Sequence, residues 1–282
     1  MTGRATVGLL RLRGARPGPG GELTRCIGFS KVVAVPTRRR ELPSRHVTLM
    51  ISFGDHLAVV ADDDGRRSVG SFVSGLQSES VLSERVGHQH GMHVELSPLA
   101  AYSLFGLPMH SLTNALVDLP AVLGRGSAEL VERLAGASGW PERFALLRAA
   151  LAVRMTSGPE PTAEVYRAWH RLRATNGSVR IGELVKQSGF SHRHLVARFR
   201  EEVGMTPKSI ARVLRFEHSL TMLQQTGTPL AYVADAAGYY DQAHLNRDFR
   251  ALAGCAPGAL SDGRPAPVPS TAPGQISPRP SQ

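Results

Sequence analysis

Two stretches of this chain present the same side-chain chemistry about fifty residues apart. In "GFSHRHLVARFREEVGMTP", residues 189–207, His192, Arg193, Val196, Ala197 and Arg200 stand off the helical stripe formed by Leu195 and Phe199. In "GYYDQAHLNRDFRALAGCAP", residues 238–257, Gln242, Ala243, Asn246, Arg247 and Arg250 stand off Leu245 and Phe249 in the same way. Arginine, asparagine and glutamine carry donors and acceptors that match guanine and adenine edges bidentately. A third cluster offers different chemistry. In "GHQHGMHVE", residues 87–95, His88, His90, His93 and Glu95 supply imidazole and carboxylate groups of the kind that ligate Zn, Ni or Fe(II).

Strand geometry weighs against the metal. On one continuous strand His88 and His90 share a face with Met92, while His93 and Glu95 point the other way, so the four converge only if the chain breaks at Gly91. The plainer reading is a strand end with solvent-facing histidines and no metal. No G-x-S-x-G elbow, Walker loop or Gly-rich dinucleotide fingerprint occurs, and "ADDDG" at 61–65 lacks the later acids of an EF-hand. Cys26 and Cys255 alone build neither a disulfide framework nor a cysteine zinc site, which suits a reducing cytosol. No catalytic residue and no cofactor is assigned, and the location expected is cytoplasmic.

The elements that must position these groups divide the chain in two. Residues 1–24, Gly-, Pro- and Arg-rich, and 261–282, Pro- and Ser-rich, read as disordered tails, and "TSGPEPT" at 156–162 reads as a linker. Residues 25–155 read as α+β, a small antiparallel sheet or barrel followed by helices. "HVTLMISFG" alternates as a half-buried strand, and "HLAVVADDDGRRSVGSFVSG" reads as strand, charged turn and strand with Asp63 and Asp64 at the tip. Strands around Leu49, Ile51 and Phe72 are expected to enclose a pocket. The uncharged run from Leu96 to Val117 is interrupted by Pro98, Gly106 and Pro108, so it reads as a buried helix and turn, not a membrane span.

Residues 163–260 read as helical throughout. Val165, Ala168, Trp169 and Leu172 recur at helical spacing, and Asn176-Gly177 is a stop signal. Each repeated stretch is preceded by a short helix, "IGELVKQSG" or "LAYVADAAG", and opens on a cap, Ser191 or Asp241. Helix, glycine turn, helix is the order of a helix-turn-helix unit, whose second helix enters the major groove of DNA. The units run from about 181 to 202 and from about 229 to 252, and a helix over about 207–225 connects them. Such a connector is about 28 Å long at 1.5 Å per residue, close to one turn of duplex, so the two helices can reach successive grooves.

Charge agrees with the division. The chain carries 33 basic and 23 acidic residues, a formal net charge of +10. Residues 25–155 hold 14 basic and 12 acidic side chains, whereas 165–260 hold 13 and 7, so the preference for polyanions belongs mainly to the second half.

Residues 181–257 resemble the DNA-binding domain of the AraC/XylS family of bacterial transcription regulators. The resemblance rests on "GFSHRHLVARFREEVGMTPK", "RFEHSLTML" and "VADAAGYYDQAHLNRDFRALAGCAP" and extends back to about 165. It implies that Arg193, Val196 and Ala197 in the first unit, and Ala243, Asn246 and Arg247 in the second, face bases. His192 and Gln242 are grouped with these readers, while Ser191, Lys208, Arg212, Asp241 and Arg250 are assigned to phosphates and positioning. Cys255-Ala256-Pro257 departs from the family's usual threonine before proline, which implies a weaker cap there. Residues 25–155 stand where the family carries a sensor or dimerisation domain. The partners expected are double-stranded DNA and an unidentified small-molecule effector, with room for RNA polymerase and a homodimer, and no membrane. Two other readings stand beside this one: a cupin-like metalloprotein with a nucleic-acid-binding appendage, and an architectural DNA binder without sequence preference.

Overall fold

The computed structural model describes residues 5–10, 24–61, 65–225 and 227–260. The tail 261–282, residues 11–23 and the hairpin tip at Asp63 and Asp64 lie outside them. The first half is an antiparallel sheet. Strand β1 (Ala5–Leu10) pairs with β2 (Thr24–Glu41), from Ala5↔Phe29 to Leu10↔Thr24. That corrects the disordered reading of residues 1–24 over 5–10, since the Gly/Pro signal that suggested it belongs to the residues after the short apolar run. Next come β3 (Val47–Ser52), the hairpin β4 (Leu57–Ala61) and β5 (Gly65–Val69), β6 (Phe72–Ser74) and the long β7 (Val81–Leu96). With β8 (Leu116–Asp118) the order is β1-β2-β7-β3-β6-β8, and the β4–β5 hairpin attaches to the first part of β7. Strand β2 shifts register between Val33 and Thr37, around Pro36, which has no N–H to give the ladder.

The two faces of this sheet do different things. Val47, Leu49, Ile51, Met92, Val94 and Leu96 are fully buried under the helices, where they join Leu99 and Ala100 in the core. Their neighbours Thr48, Met50, His93 and Glu95 line a cavity of about 1060 Å³ on the opposite face. The pocket expected around Leu49, Ile51 and Phe72 therefore needs correcting. Phe72 lines it, but Leu49 and Ile51 belong to the helix face, because in a strand adjacent side chains take opposite sides.

Helix α1 (Pro98–Phe105) is buried along its whole length and capped by Ser97, whose hydroxyl accepts from the Ala100 amide at 3.1 Å. The uncharged run thus becomes the end of β7, α1, a 3₁₀ turn at Met109–Leu112 and β8. Among the described residues no helix is long and apolar enough to cross a membrane. Helices α2 (Leu119–Leu123), α3 (Gly126–Gly136) and α4 (Trp140–Ser157) follow. Trp140 lies on the backbone of β2 at Gly28, where any Cβ would run into the indole.

The stretch read as a linker, 156–162, is no loose tether. Its first two residues end α4, Gly158 abuts the Ser103 carbonyl, and Pro161 is buried. The Thr162 amide donates to Glu202 at 2.8 Å. The Pro and Gly residues shape a packed turn here, not a free one.

The second half is helical, from α5 (Ala163–Ala174) through α6 (Ile181–Ser188), α7 (His192–Val203), α8 (Pro207–Leu223) and α9 (Leu230–Ala236) to α10 (Gln242–Ala253). Val165, Ala168, Trp169 and Leu172 are buried on α5. At its end Asn176 and Gly177 have φ of 47° and 76°, and Gly177 backs against the Ala211 carbonyl of α8. Helix α8 is the spine of this half. It buries Ile210, Val213, Leu214 and Phe216, and Phe216 meets Phe249 of α10 edge to face at 4.8 Å.

The halves are joined by polar clasps. Thr113 donates to the Gly204 carbonyl at 2.8 Å, and the Arg45 amide donates to Glu217 of α8 at 3.1 Å.

Candidate nucleic-acid interface

The two repeated units can be superimposed element by element. In the first, α6 ends on Gly189 at φ 71°, Phe190 stacks edge-on against His194 at 4.4 Å, and Ser191 accepts from the His194 amide at 3.2 Å. In the second, Gly238 takes φ 75°, Tyr239 stacks edge-on against His244 at 5.1 Å, and Asp241 accepts from the His244 amide at 2.6 Å. An aromatic wedge below and a capping oxygen above fix the first turn of each second helix.

With that turn fixed, the faces are fixed too. Leu195, Phe199 and Val203 of α7, and Leu245, Phe249 and Leu252 of α10, are buried. His192, Arg193, Ala197 and Arg200 are exposed on α7, with Val196 half-buried beside them. On α10 Gln242, Ala243, Arg247 and Arg250 are exposed and Asn246 is half-buried. Lys208 is exposed in the first turn of α8. All eight side chains assigned to base reading therefore stand on two helix faces that the rest of the chain leaves uncovered or half covered.

Two cations are held elsewhere. Arg212, assigned to phosphate from the sequence, has its Nε 2.7 Å from Asp248 Oδ1, and Asp248 is buried. The pair ties α10 to α8 and so positions α10 on its spine. Nothing in the repeat pattern flagged it, because Asp248 falls where the first unit has Arg198. Arg198 pairs instead with Glu201 at 2.8 Å and Glu202 at 2.7 Å.

Burial perturbs several groups around this frame. Glu202 is fully buried, which pushes its carboxyl above the usual range, opposed by the Thr162 amide and Arg198. Burial likewise raises Glu217, and lifts the Tyr239 phenol to about 12 with help from Asp248.

The departure at Cys255-Ala256-Pro257 also has a structural counterpart. Thr206 accepts from the Ser209 amide at 3.1 Å and caps the seventeen residues of α8. Ala256 has no side-chain oxygen to offer, and within the described residues the four-residue 3₁₀ turn Pro257–Leu260 follows.

The first half holds the cavity. Apolar Ile27, Phe29 and Met50 line it together with His46, His93 and Glu95, and Gly254, at the end of α10, lies at its rim. His46 is driven down to about 4, first by burial and against the pull of Glu95, with Arg45, Arg173 and His93 adding to the descent. The four residues weighed as metal ligands are divided by the sheet. His88 is exposed and meets Ser30 at 3.2 Å, while His90 packs edge-on against Phe53 and Trp140 on the helix side. His93 and Glu95 line the cavity on the other side, so the solvent-facing reading is corrected for His90 and His93. Among the described residues no three His, Cys, Asp or Glu side chains are grouped as metal ligands.

Residues 184–262 match a family model described as a helix-turn-helix domain. Among solved structures, ToxT from Vibrio cholerae aligns at 9% identity with a TM-score of 0.46, covering 84% of this chain and 97% of its own. The C-terminal domain of AraT, a response regulator from Geobacillus stearothermophilus, aligns at 18% identity and 0.35, covering 42% and 98%. The xylose-binding transcription activator XylR aligns at 22% and 0.33, covering 40% of this chain and 30% of its own. No curated protein matches the chain.

Proposed function

We propose that the chain is a sequence-specific transcription regulator of the AraC type, from the premise that residues 184–262 match a helix-turn-helix domain. In this reading α7 and α10 enter successive major-groove segments of one duplex. The observation that carries it is the duplication itself: two helices, capped and wedged alike, expose the same registers on a shared spine of about 26 Å. Arg193 and Arg247 read guanine edges, Gln242 and Asn246 read adenine, and Val196 and Ala197 make apolar contacts. Lys208, Arg200 and Arg250 meet phosphates.

The cavity in the first half is the place for a small-molecule effector. Its volume of about 1060 Å³ and its mixed apolar and polar lining fit such a ligand. Its rim at Gly254 and the Arg45–Glu217 clasp offer ways to reach α10 and α8.

The test is DNA selection from a random pool with the full chain, followed by salt titration. A selected consensus of two segments one helical turn apart is expected, with affinity falling steeply with salt as counterions are released. Enrichment without a consensus would instead support an architectural binder. Affinity that stayed flat between low and physiological salt would sink the reading altogether.

A further inference from the structure

The two units differ by one residue, and the structure shows which. Between glycine and cap the first turn reads Gly189-Phe190-Ser191, and the second reads Gly238-Tyr239-Tyr240-Asp241. Phe190 and Tyr239 are equivalent, since each stacks on the histidine of its own recognition helix. Tyr240 is therefore the added residue. It enlarges the turn enough that Asp241 enters α10 at φ −158°, against −64° for Ser191.

Tyr240 is 93% exposed. Among the described residues of the helical half, the exposed large apolar side chains are Tyr240 and Tyr232 of α9, at 60%, and both belong to the second unit. The charge distribution gives this a meaning. From Phe216 to Asn246 the chain contains no lysine or arginine, and the second unit carries Asp235 and Asp241. In the first unit Lys186 and Arg193 flank the equivalent turn. Arg215 of α8 does reach this turn, 5.8 Å over the Tyr239 ring, but it donates inward to the Gly177 carbonyl at 2.8 Å, so the outward donor that the turn itself supplies is uncharged. A phenol is such a donor, with a hydroxyl at the end of a long, rigid side chain.

We infer that Tyr240 is a phosphate anchor of the second unit's turn, in addition to Arg250 on α10, its hydroxyl donating to the DNA backbone beside the segment that α10 reads. This rests on the reading of α10 as a groove helix. The contact fixes register and carries no base preference. Because the donor is neutral, no counterion is released on its account, and it leaves no trace in the salt dependence.

The test uses the full chain, a duplex selected from a random pool by the unaltered protein, and a generic duplex. Tyr240→Phe should weaken binding to the selected duplex roughly tenfold, the scale of one hydrogen bond to a charged acceptor. The slope of log affinity against log salt and the base preference should both stay as they were. Lys208→Ala, in contrast, should shorten the slope by about one. The melting temperature of Tyr240→Phe should not move, because the side chain packs on so little of its own protein.

Unchanged affinity in Tyr240→Phe would overturn the assignment. So would a loss seen in Tyr240→Ala but not in Tyr240→Phe, which would make the ring the contact and not the hydroxyl. A changed base preference would make Tyr240 a reader, and a lowered melting temperature would make its role structural. If the unaltered chain selects no sequence and its binding ignores salt, the function proposed above fails first, and that outcome is visible before any variant is made.

Discussion

At the scale of the residue, the question is which exposed side chains read sequence and which only hold on. Arg247 is exposed on α10 two positions after the buried Leu245, and no acid within the described residues pairs with it in the manner of Arg212 and Asp248. An arginine bidentate to guanine contributes about 1–3 kcal/mol of discrimination. Arg247→Ala should therefore relax preference at one or two base pairs, while Lys208→Ala should weaken all sequences about equally. Competition against single-base variants of a selected site separates these outcomes. A uniform loss in Arg247→Ala would make it a phosphate contact. These positions were legible because one apolar stripe, Leu-x-x-x-Phe, is enough to orient a helix. The Arg212–Asp248 pair was not, because an ion pair between helices depends on how they cross, which no single-helix pattern encodes.

At the scale of the element, caps and register decide how firmly α7 and α10 are held. Asp241 accepts from the first turn of α10 at 2.6 Å, and Asp241→Ala should destabilise the helical half by about 1 kcal/mol in denaturant unfolding. No change would mean that Tyr239 and the Asp248 pair already fix the turn. The helices were readable from periodicity and caps, and β3 from its strict alternation. Strand β2 was not, since Gly28, the run "KVVAV" and Pro36 break a two-residue period that the bulge then accommodates. The cavity was half readable: a pocket is expected of a curled sheet, but which face it occupies depends on where the helices pack.

His46, at the head of β3, provides a pH signal at the same scale. Its folded-state pKa is depressed from 6.5 to about 4. A neutral, buried imidazole stabilises the fold above the unfolded value, and that contribution is lost as pH falls from 6.5 through 4. The loss is on the order of 3 kcal/mol. His46→Gln should flatten that part of a stability–pH curve measured by urea unfolding. Glu202 and Glu217 act in the opposite sense. Their carboxyls are raised, so the fold loses some stability as pH climbs past the ordinary glutamate range and both must ionise. An unaltered acid limb in His46→Gln would assign the loss to other groups, with His93 the first candidate because burial lowers it too.

At the scale of the whole molecule, the two halves share one apolar core, crossed by a few polar contacts. The sheet's Arg45 holds Glu217 of α8 by its amide at 3.1 Å and by its guanidinium at 3.1 Å. Arg45 precedes His46, which lines the cavity, so a ligand that moves His46 acts one residue from the clasp on α8, the helix against which α10 packs. A compound that fills the cavity stabilises the folded chain by RT ln(1 + [L]/Kd), which makes thermal shift a screen for it. If that compound changes DNA affinity by some factor, DNA must change its affinity by the same factor. Arg45→Met keeps the aliphatic stem while removing the guanidinium from Glu217. In this variant the compound should still raise the melting temperature, and its effect on DNA affinity should shrink toward none. Retention of the full effect would show that coupling runs elsewhere, with the Gly254 rim and the Thr113–Gly204 bond as the next routes to break. Loss of both the thermal shift and the DNA effect would place Arg45 in the ligand site itself.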